Sequence, residues 1–230
     1  MRKVVGQAHK EDIVAIILAG GQARRLGGKR PSGGKAECVV SGKSLLRTVS
    51  DALVPVADSV LIVGGNSPKI SFQKPMSVRH ISDDQPESGP LCAVRDGLRW
   101  IWRERICSMP RFVILSACDL PMINSALVLE ILRHFPQDEI LTQWVVPKVG
   151  SRLQYLFSVC RPTLLHPLNS FLAAGARDFH GFVHELQKFE PKSVHIIEDS
   201  IWGKIDPNGC AARDIDTPAD LTIYTKPTSH

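Results

Sequence analysis

A glycine-rich, basic segment between Gly20 and Lys35 holds the residue types that most clearly suggest chemistry. It contains six of the chain's 17 glycines and five basic residues, with no acidic residue. Glycine lets a backbone approach a ligand closely enough to present its N–H groups, and Arg and Lys neutralise phosphate charge. The pattern therefore predicts a binding loop for a compact polyanion, such as a nucleoside triphosphate, that begins at Gly20 and Gly21.

The distribution of charge favours such a ligand over a nucleic acid. The chain has 28 Lys and Arg against 23 Asp and Glu, a formal net charge of +5. Outside this segment basic and acidic residues are equal in number, so the whole excess lies within it. A nucleic-acid-binding protein usually spreads its basic residues over a face or along a helix, and we expect no such partner. The segment is not a Walker A loop, because Ala36 follows Lys35. The alternative is a solvated basic loop without a ligand.

Asp119 follows the apolar residues Phe112–Leu115 at the point where a predicted strand leaves the sheet. In open α/β sheets, ligands bind in the crevice outside the carboxyl ends of the strands, so Asp119 is expected to face the glycine-rich loop. A triphosphate repels a carboxylate unless a cation lies between them, and Mg²⁺ binds carboxylate and phosphate oxygens together. Asp119 is therefore predicted as a metal ligand. The alternative is a helix cap or an Asx-turn before Pro121.

A second pair of carboxylates comes late in the chain, at Asp214 and Asp216. Alternation along a short strand would point both to one face, and either is a candidate to complete the metal site. We take Asp216 as the second ligand, with Asp214 as the alternative. The competing interpretation is structural, with Thr217 as a helix N-cap and Asp220 as its capping-box partner, which accounts for neither Asp214 nor Asp216.

The segment from Asp83 to Leu91 joins a predicted strand to a predicted helix that starts at Gly89-Pro90. Exposed N–H groups and the helix dipole make such a junction a candidate anion or ribose site. Taken alone, it is equally compatible with a plain loop.

The elements that must position these residues alternate along the chain. Ile13–Leu18 is a continuous β-branched and aliphatic run, typical of a strand buried on both faces of a parallel sheet. The other predicted strands are Val60–Val63, Val78–Ser82, Phe112–Leu115, Trp144–Val149, Tyr155–Cys160 and Val194–Ile197; the predicted helices are near Leu45–Leu53, Leu91–Trp102, Ser125–Phe135, Thr163–Ala174, Asp178–Lys188 and Pro218–Tyr224. The alternation predicts an α/β, single-domain, Rossmann-like fold with a mostly parallel sheet and helices on both faces. We expect residues 1–135 to bind the nucleotide and residues 136–230 to bind an acceptor.

The composition sets the expected cellular context. The longest apolar run is far shorter than the roughly 20 residues of a membrane helix, and the amino terminus is too polar for a secretory signal. We therefore expect a cytoplasmic protein with no membrane partner. The six cysteines show no metal-binding or disulfide spacing and are expected to be reduced and mostly buried.

Several motifs, in this order and spacing, resemble those of the MobA family, the molybdenum cofactor guanylyltransferases. They are Leu18-Ala19-Gly20-Gly21 with Arg25-Leu26-Gly27-Gly28, Lys35-Ala36, Asp83 with Gly89-Pro90-Leu91, Cys118-Asp119 with Pro121, and Asp216-Thr217-Pro218 with Asp220-Leu221. The resemblance covers nearly the whole chain. It implies a GT-A-like Rossmann sheet that binds GTP and Mg²⁺ and transfers GMP to the terminal phosphate of molybdopterin, with release of pyrophosphate. Other proteins of molybdenum cofactor biosynthesis are then expected as partners.

The resemblance also implies a role for each matching residue. Leu18, Ala19 and Gly20 would contact the nucleotide, Lys35 its phosphates, Asp83 the nucleoside, and Asp119 both GTP and the metal. Transfer of a phosphoryl group needs positioning and charge neutralisation more than a covalent nucleophile. The catalytic residues expected on that basis are Arg25, Lys35 and Asp119.

Two departures from the family pattern leave alternatives open. The lysine of the family follows the second glycine pair closely, whereas here both Lys29 and Lys35 are candidates, and we favour Lys35. Gly64 stands where the family often has Asn after the second strand, which affects the choice of base. The alternatives are a cytidylyltransferase for the same cofactor, a nucleotidyltransferase for a sugar phosphate, and a nucleotide-binding adaptor without catalysis.

Overall fold

An eight-stranded mixed sheet forms the centre of the structure, a computed structural model that describes residues 12–21, 34–65, 77–82, 88–105, 108–136 and 141–225. The strands of this sheet are β1 (Ile13–Leu18), β4 (Ser59–Val63), β5 (Ser77–Ile81), β6 (Phe112–Ala117), β7 (Trp144–Val149), β8 (Arg152–Leu153), β9 (Phe157–Cys160) and β10 (Val194–Ile197), and a separate hairpin consists of β2 (Val39–Val40) and β3 (Lys43–Ser44). The helices are α1 (Leu45–Leu53), α2 (Pro90–Glu104), α3 (Ser125–Arg133), α4 (Leu165–Ala173), α5 (Phe179–Phe189), α6 (Asp199–Trp202) and α7 (Pro218–Thr225). The predicted residues Arg25, Lys29 and Asp83 lie outside the described residues.

The strand order is β10-β7-β9-β6-β1-β4-β5, with β8 paired to β7. Strands β6, β1, β4 and β5 are mutually parallel, and β7 is parallel to β10. Strand β9 runs antiparallel to both β6 and β7, so it joins the two parallel groups with the same overall direction. The carboxyl ends of β1, β4, β6 and β7 therefore lie at one edge of the sheet.

Strand β1 explains why the sheet has helices on both faces. All six of its residues are buried. Its odd-numbered residues pack with α1 and α3, while its even-numbered residues pack with α2, α4 and α5. Each large apolar side chain that is fully buried contributes roughly 1.5–3 kcal/mol, so an unbroken apolar run stabilises both layers at once. The predicted α/β class with a mostly parallel sheet is confirmed.

Helix α2 packs closely against strand β1, and its first turn lies at the carboxyl edge of the sheet. A Cβ added to Gly97 would lie 2.8 Å from Cδ1 of Ile16 in β1. Glycine at this position therefore permits close packing of the helix on the strand. The helix begins at Pro90. Because N–H groups in the first turn have no intrahelical acceptor, a proline there costs the helix no hydrogen bond.

The element boundaries differ from the sequence predictions mainly at prolines. The helix predicted over Thr163–Ala174 is a 3-10 turn, Pro162–Leu164, followed by α4, with Pro167 in the first helical turn, where an N–H is not needed. Helix α3 ends at Arg133 rather than Phe135, because Pro136 disfavours a helical backbone in the residue before it. No helix in the described parts of the chain has the length and apolar character needed to cross a membrane.

Candidate active site

A cavity of about 300 Å³ opens at the carboxyl edge of the sheet, between the ends of β1 and β6 and the first turn of α2. Among its lining residues are Leu18, Gly20, Gly21, Lys35, Asp119 and Leu156. The structure thus brings the start of the glycine-rich loop, the predicted phosphate lysine and the predicted metal ligand to one place. Ala19, between Leu18 and Gly20 in the chain, is buried.

Backbone hydrogen bonds hold the strand ends that form this cavity. The N–H of Ala19 donates to the carbonyl of Val63 at 2.8 Å, and the N–H of Cys118 donates to the carbonyl of Leu18 at 3.0 Å. The N–H of Lys35 donates to the carbonyl of Gly21 at 3.2 Å, which returns the chain to the site after the loop. The bonds of Ala19 and Cys118 extend the ladder of the sheet beyond its last regular residues.

Lys35 lies between two carboxylates. Its Nζ is 2.5 Å from Oδ2 of Asp119 and also contacts Oδ1 of Asp216. The lysine side chain is only 9% exposed, whereas that of Asp119 is 17% and that of Asp216 is 38% exposed. Burial by itself lowers the pKa of Lys35, but attraction and hydrogen bonding to Asp119 and Asp216 outweigh it, so the pKa is raised. Lys35 therefore carries a positive charge at neutral pH.

Asp214 completes a cluster of three carboxylates with Asp119 and Asp216. One oxygen of each lies within 4.8 Å of the others. Partial desolvation, followed by repulsion from Asp216 and Asp119, raises the pKa of Asp214. Carboxylate oxygens are the ligands that Mg²⁺ prefers in proteins, so this donor set fits the metal that the sequence predicts.

The backbone around Ile215 explains how the late pair of carboxylates reaches Asp119. Ile215 is fully buried, and its N–H donates to the carbonyl of Asp119 at 3.1 Å. Because side chains alternate along an extended segment, burial of Ile215 turns both Asp214 and Asp216 towards the opposite side. The predicted alternation therefore holds, and the structure brings both candidates to Asp119 rather than choosing between them.

The helix-capping roles considered for Asp119 and for the segment at Thr217 differ in outcome: the first is absent and the second is present. Asn124, not Asp119, caps α3, because its side chain accepts a hydrogen bond from the N–H of Leu127. The capping box at α7 is present, with Thr217 and Asp220 exchanging hydrogen bonds. Asp220 also accepts from the N–H of Asp216, so the cap fixes the turn that carries the site carboxylate. The capping box and the contact of Asp216 with Lys35 therefore occur together in this segment.

Sequence reasoning missed two aspects of the site. Leu156, just before β9, lines the cavity although it belongs to the half of the chain assigned to the acceptor. The direct contact of Lys35 with both carboxylates was also missed, since the lysine was assigned only to phosphate. The available signal was only the expected placement of these charges at one sheet edge, which does not identify which of the five basic residues contacts the carboxylates.

Comparison with known protein families identifies the family to which this chain belongs. The family model described as "MobA-like NTP transferase domain" matches residues 15–202, most of the chain. The chain belongs to the MobA-like nucleotidyltransferases. The matched span of this MobA-like chain includes Lys35 and Asp119, while Asp214 and Asp216 lie beyond it. The resemblance drawn from the motifs is confirmed.

Similar proteins agree with this membership. A molybdenum cofactor guanylyltransferase of Vibrio cholerae is 32% identical over 164 residues, which cover 70% of this MobA-like chain and 72% of that protein. A Chloroflexus aggregans protein named probable molybdenum cofactor guanylyltransferase is 29% identical over 209 residues, 90% of this chain and 91% of its own.

Solved structures share the fold. Molybdopterin-guanine dinucleotide biosynthesis protein A from Archaeoglobus fulgidus has a TM-score of 0.67 at 19% identity, over 92% of this MobA-like chain and 96% of its own. The 2-C-methyl-D-erythritol 4-phosphate cytidylyltransferase from Thermus thermophilus has a TM-score of 0.60 at 16% identity, over 92% and 97% of the two chains. At such identities, the likeness concerns the fold and leaves the substrates to other arguments.

Proposed function

We propose that this chain transfers GMP from GTP to the terminal phosphate of molybdopterin, with release of pyrophosphate, to form the guanine dinucleotide form of the molybdenum cofactor. The observation that carries the proposal is the cavity at Gly20 and Gly21, which Lys35 and Asp119 also line. Relatives named molybdenum cofactor guanylyltransferases support this choice of substrates.

In this proposal, residues 1–135 bind GTP and residues 136–230 bind the acceptor. Asp119 and Asp216 would hold Mg²⁺, with Asp214 beside them. Bound there, Mg²⁺ would supply positive charge to the phosphate oxygens of the nucleotide. Arg25 and Asp83, the further residues predicted from the sequence, belong to the proposal as a phosphate contact and a nucleoside contact.

The reaction needs no covalent nucleophile from the protein. An oxygen of the acceptor's terminal phosphate forms a new bond to the α-phosphorus of GTP, and the bond from that phosphorus to the bridging oxygen breaks, so that pyrophosphate leaves with the electron pair. The acceptor phosphate is already anionic at neutral pH. The chain's own contribution is therefore orientation and charge neutralisation, from N–H groups at Gly20 and Gly21 and from the ammonium of Lys35.

A second cavity, of about 250 Å³, is the proposed site of the acceptor. Its lining includes Leu127, Val149, Phe157, Asp206, Asn208 and Gly209. Val149 ends β7, whose carboxyl end lies at the same sheet edge as that of β6. An apolar lining with a few polar groups is typical of a small-molecule pocket, and its place beside the end of β6 would bring the acceptor to the α-phosphate.

The central test measures pyrophosphate release by the purified protein with GTP, Mg²⁺ and molybdopterin. We expect release that depends on all three components. Release with CTP but not GTP would instead support the cytidylyltransferase, an alternative that the glycine at position 64 raises. Binding of GTP without any release would support a nucleotide-binding adaptor and contradict the proposal.

The acceptor site is tested separately by filling the second cavity. Ala212 lines it, so Ala212→Trp should raise the KM for molybdopterin while leaving the affinity for GTP within about twofold. The matched control is Ala174→Trp at the exposed end of α4, which should change neither quantity. Equal effects of both substitutions on KM would contradict the assignment of this cavity.

A further inference from the structure

The ammonium of Lys35 occupies the space between Asp119 and Asp216 that a metal ion shared by them would need. Its Nζ contacts one oxygen of each carboxylate. Mg²⁺ binds its oxygens at about 2.0–2.1 Å, so an ion bound to the same two oxygens would come into direct conflict with the ammonium. Like charges at such a separation repel strongly in a partly buried site. Lysine and metal therefore compete for these oxygens.

Lys35 has a second place to go. The same side chain lines the cavity beside Gly20 and Gly21, where we propose that the phosphates bind. Its backbone is fixed by the bond from its N–H to Gly21, while the four-carbon side chain can rotate. A triphosphate in the cavity offers the ammonium new anionic partners, so that a cation can bind the carboxylate oxygens that the ammonium contacts.

We propose that Lys35 is a resident counter-ion that makes binding of a divalent cation at Asp119 and Asp216 conditional on a bound polyphosphate. This inference rests on the proposed function for the identity of the polyphosphate. Without nucleotide, the ammonium relieves repulsion among three carboxylates, one oxygen of each of which lies within 4.8 Å of the others. With nucleotide, the ammonium moves to the phosphates and the cation takes its place, so that metal and nucleotide strengthen each other's binding.

The first test omits nucleotide and uses Mn²⁺ as the probe, with free Mn²⁺ measured by electron paramagnetic resonance. Lys35→Met should bind Mn²⁺ at least about tenfold more tightly than the wild type, because the ion no longer displaces the two charge-assisted hydrogen bonds of the ammonium, and one such bond alone accounts for about that factor. The matched control is Lys43→Met, which removes an exposed lysine paired with Asp51 and should leave Mn²⁺ binding unchanged. Equal Mn²⁺ affinities in the wild type and in Lys35→Met overturn the inference.

The second test uses only wild-type protein for the titration and covers the case in which Lys35→Met does not fold. In protein labelled with ¹⁵N-lysine, the Nζ signal of Lys35 is assigned by its loss in Lys35→Arg. Mg²⁺ alone should leave this signal in place, and Mg²⁺ with GTP should shift it. A shift with Mg²⁺ alone, or no shift with Mg²⁺ and GTP bound, overturns the inference.

Binding of GTP is measured in parallel, so that the two proposals fail in distinguishable ways. Absence of GTP binding by the wild type contradicts the proposed function. The Mn²⁺ comparison contains no nucleotide and decides the competition by Lys35 in either case.

Discussion

Asp119→Asn separates the chemistry of the site from the stability of the fold. Asn keeps an oxygen that can accept from Lys35, and Lys35 keeps its contact with Asp216. The loss is the attraction between two opposite charges in a partly buried pair, since the ammonium still donates to the neutral amide oxygen, and we expect about 1–2 kcal/mol of destabilisation. For a chain of this size, that lowers the melting temperature by about 2–8 °C. The variant should therefore remain folded.

Turnover should respond far more strongly than stability. Asp119 is the proposed anionic ligand at the nucleotide, and removal of one preorganised electrostatic contact of this kind costs about a hundred- to a thousandfold in rate. Pyrophosphate release by wild type and variant at saturating substrates provides the measurement. The control is Asp51→Asn, which also neutralises an ion-paired aspartate, at Lys43 and Arg47, and should leave the rate within about twofold. A folded Asp119→Asn variant that keeps more than about a tenth of the rate refutes the reasoning, because the site would then contribute less than about 1.4 kcal/mol through this carboxylate.

Three further predictions concern neighbouring features. Gly65 has φ +73°, and an added Cβ would lie 2.8 Å from the carbonyl oxygen of Ala19, so Gly65→Ala should destabilise the fold by about 2–4 kcal/mol in urea and weaken GTP binding. Gly42→Ala, at φ +81° and with no atom of the described residues within 4 Å of the added Cβ, should cost only about 1 kcal/mol, and equal losses would contradict the contact argument. Because the folded-state pKa of Asp214 is raised, its ionisation costs stability above that pKa, and this cost disappears as the pH falls. Asp214→Asn should therefore stabilise the metal-free protein near neutral pH and stabilise it less at about pH 4. An equal gain in stability at both pH values would contradict this sign. Burial raises the pKa of the Cys118 thiol, so this residue should resist alkylation in native protein at about pH 8 and react in urea, which mass spectrometry distinguishes; equal rates would show that the thiol is accessible.

Strand β1 and strand β9 show what the sequence can and cannot predict about this fold. The apolar run of β1 requires burial on both faces, so its place inside a parallel sheet follows from local pattern alone. Strand β9 is buried as completely, but nothing in its residues indicates that it runs antiparallel between β6 and β7. Direction and order depend on how distant segments pack, which no local periodicity records.

The same contrast applies to the site. Lys35, Asp119 and Asp216 could each be singled out, because each stands beside a strand end or a helix start with a reason to carry charge. Their mutual contact could not be predicted, since 84 and 181 positions of sequence separate the paired residues. Side-chain geometry across such distances is fixed only by the completed packing around Ile215 and the end of β6.

The span of 181 positions between Lys35 and Asp216 also orders the assembly of the site in time. A chain synthesised from its amino terminus presents Lys35 and Asp119 to each other well before Asp216 is available. A chain shortened to residue 202 would contain every position that the family model matches and still lack this carboxylate. The cluster of Asp119, Asp214 and Asp216 can therefore close only after residue 216 has been synthesised.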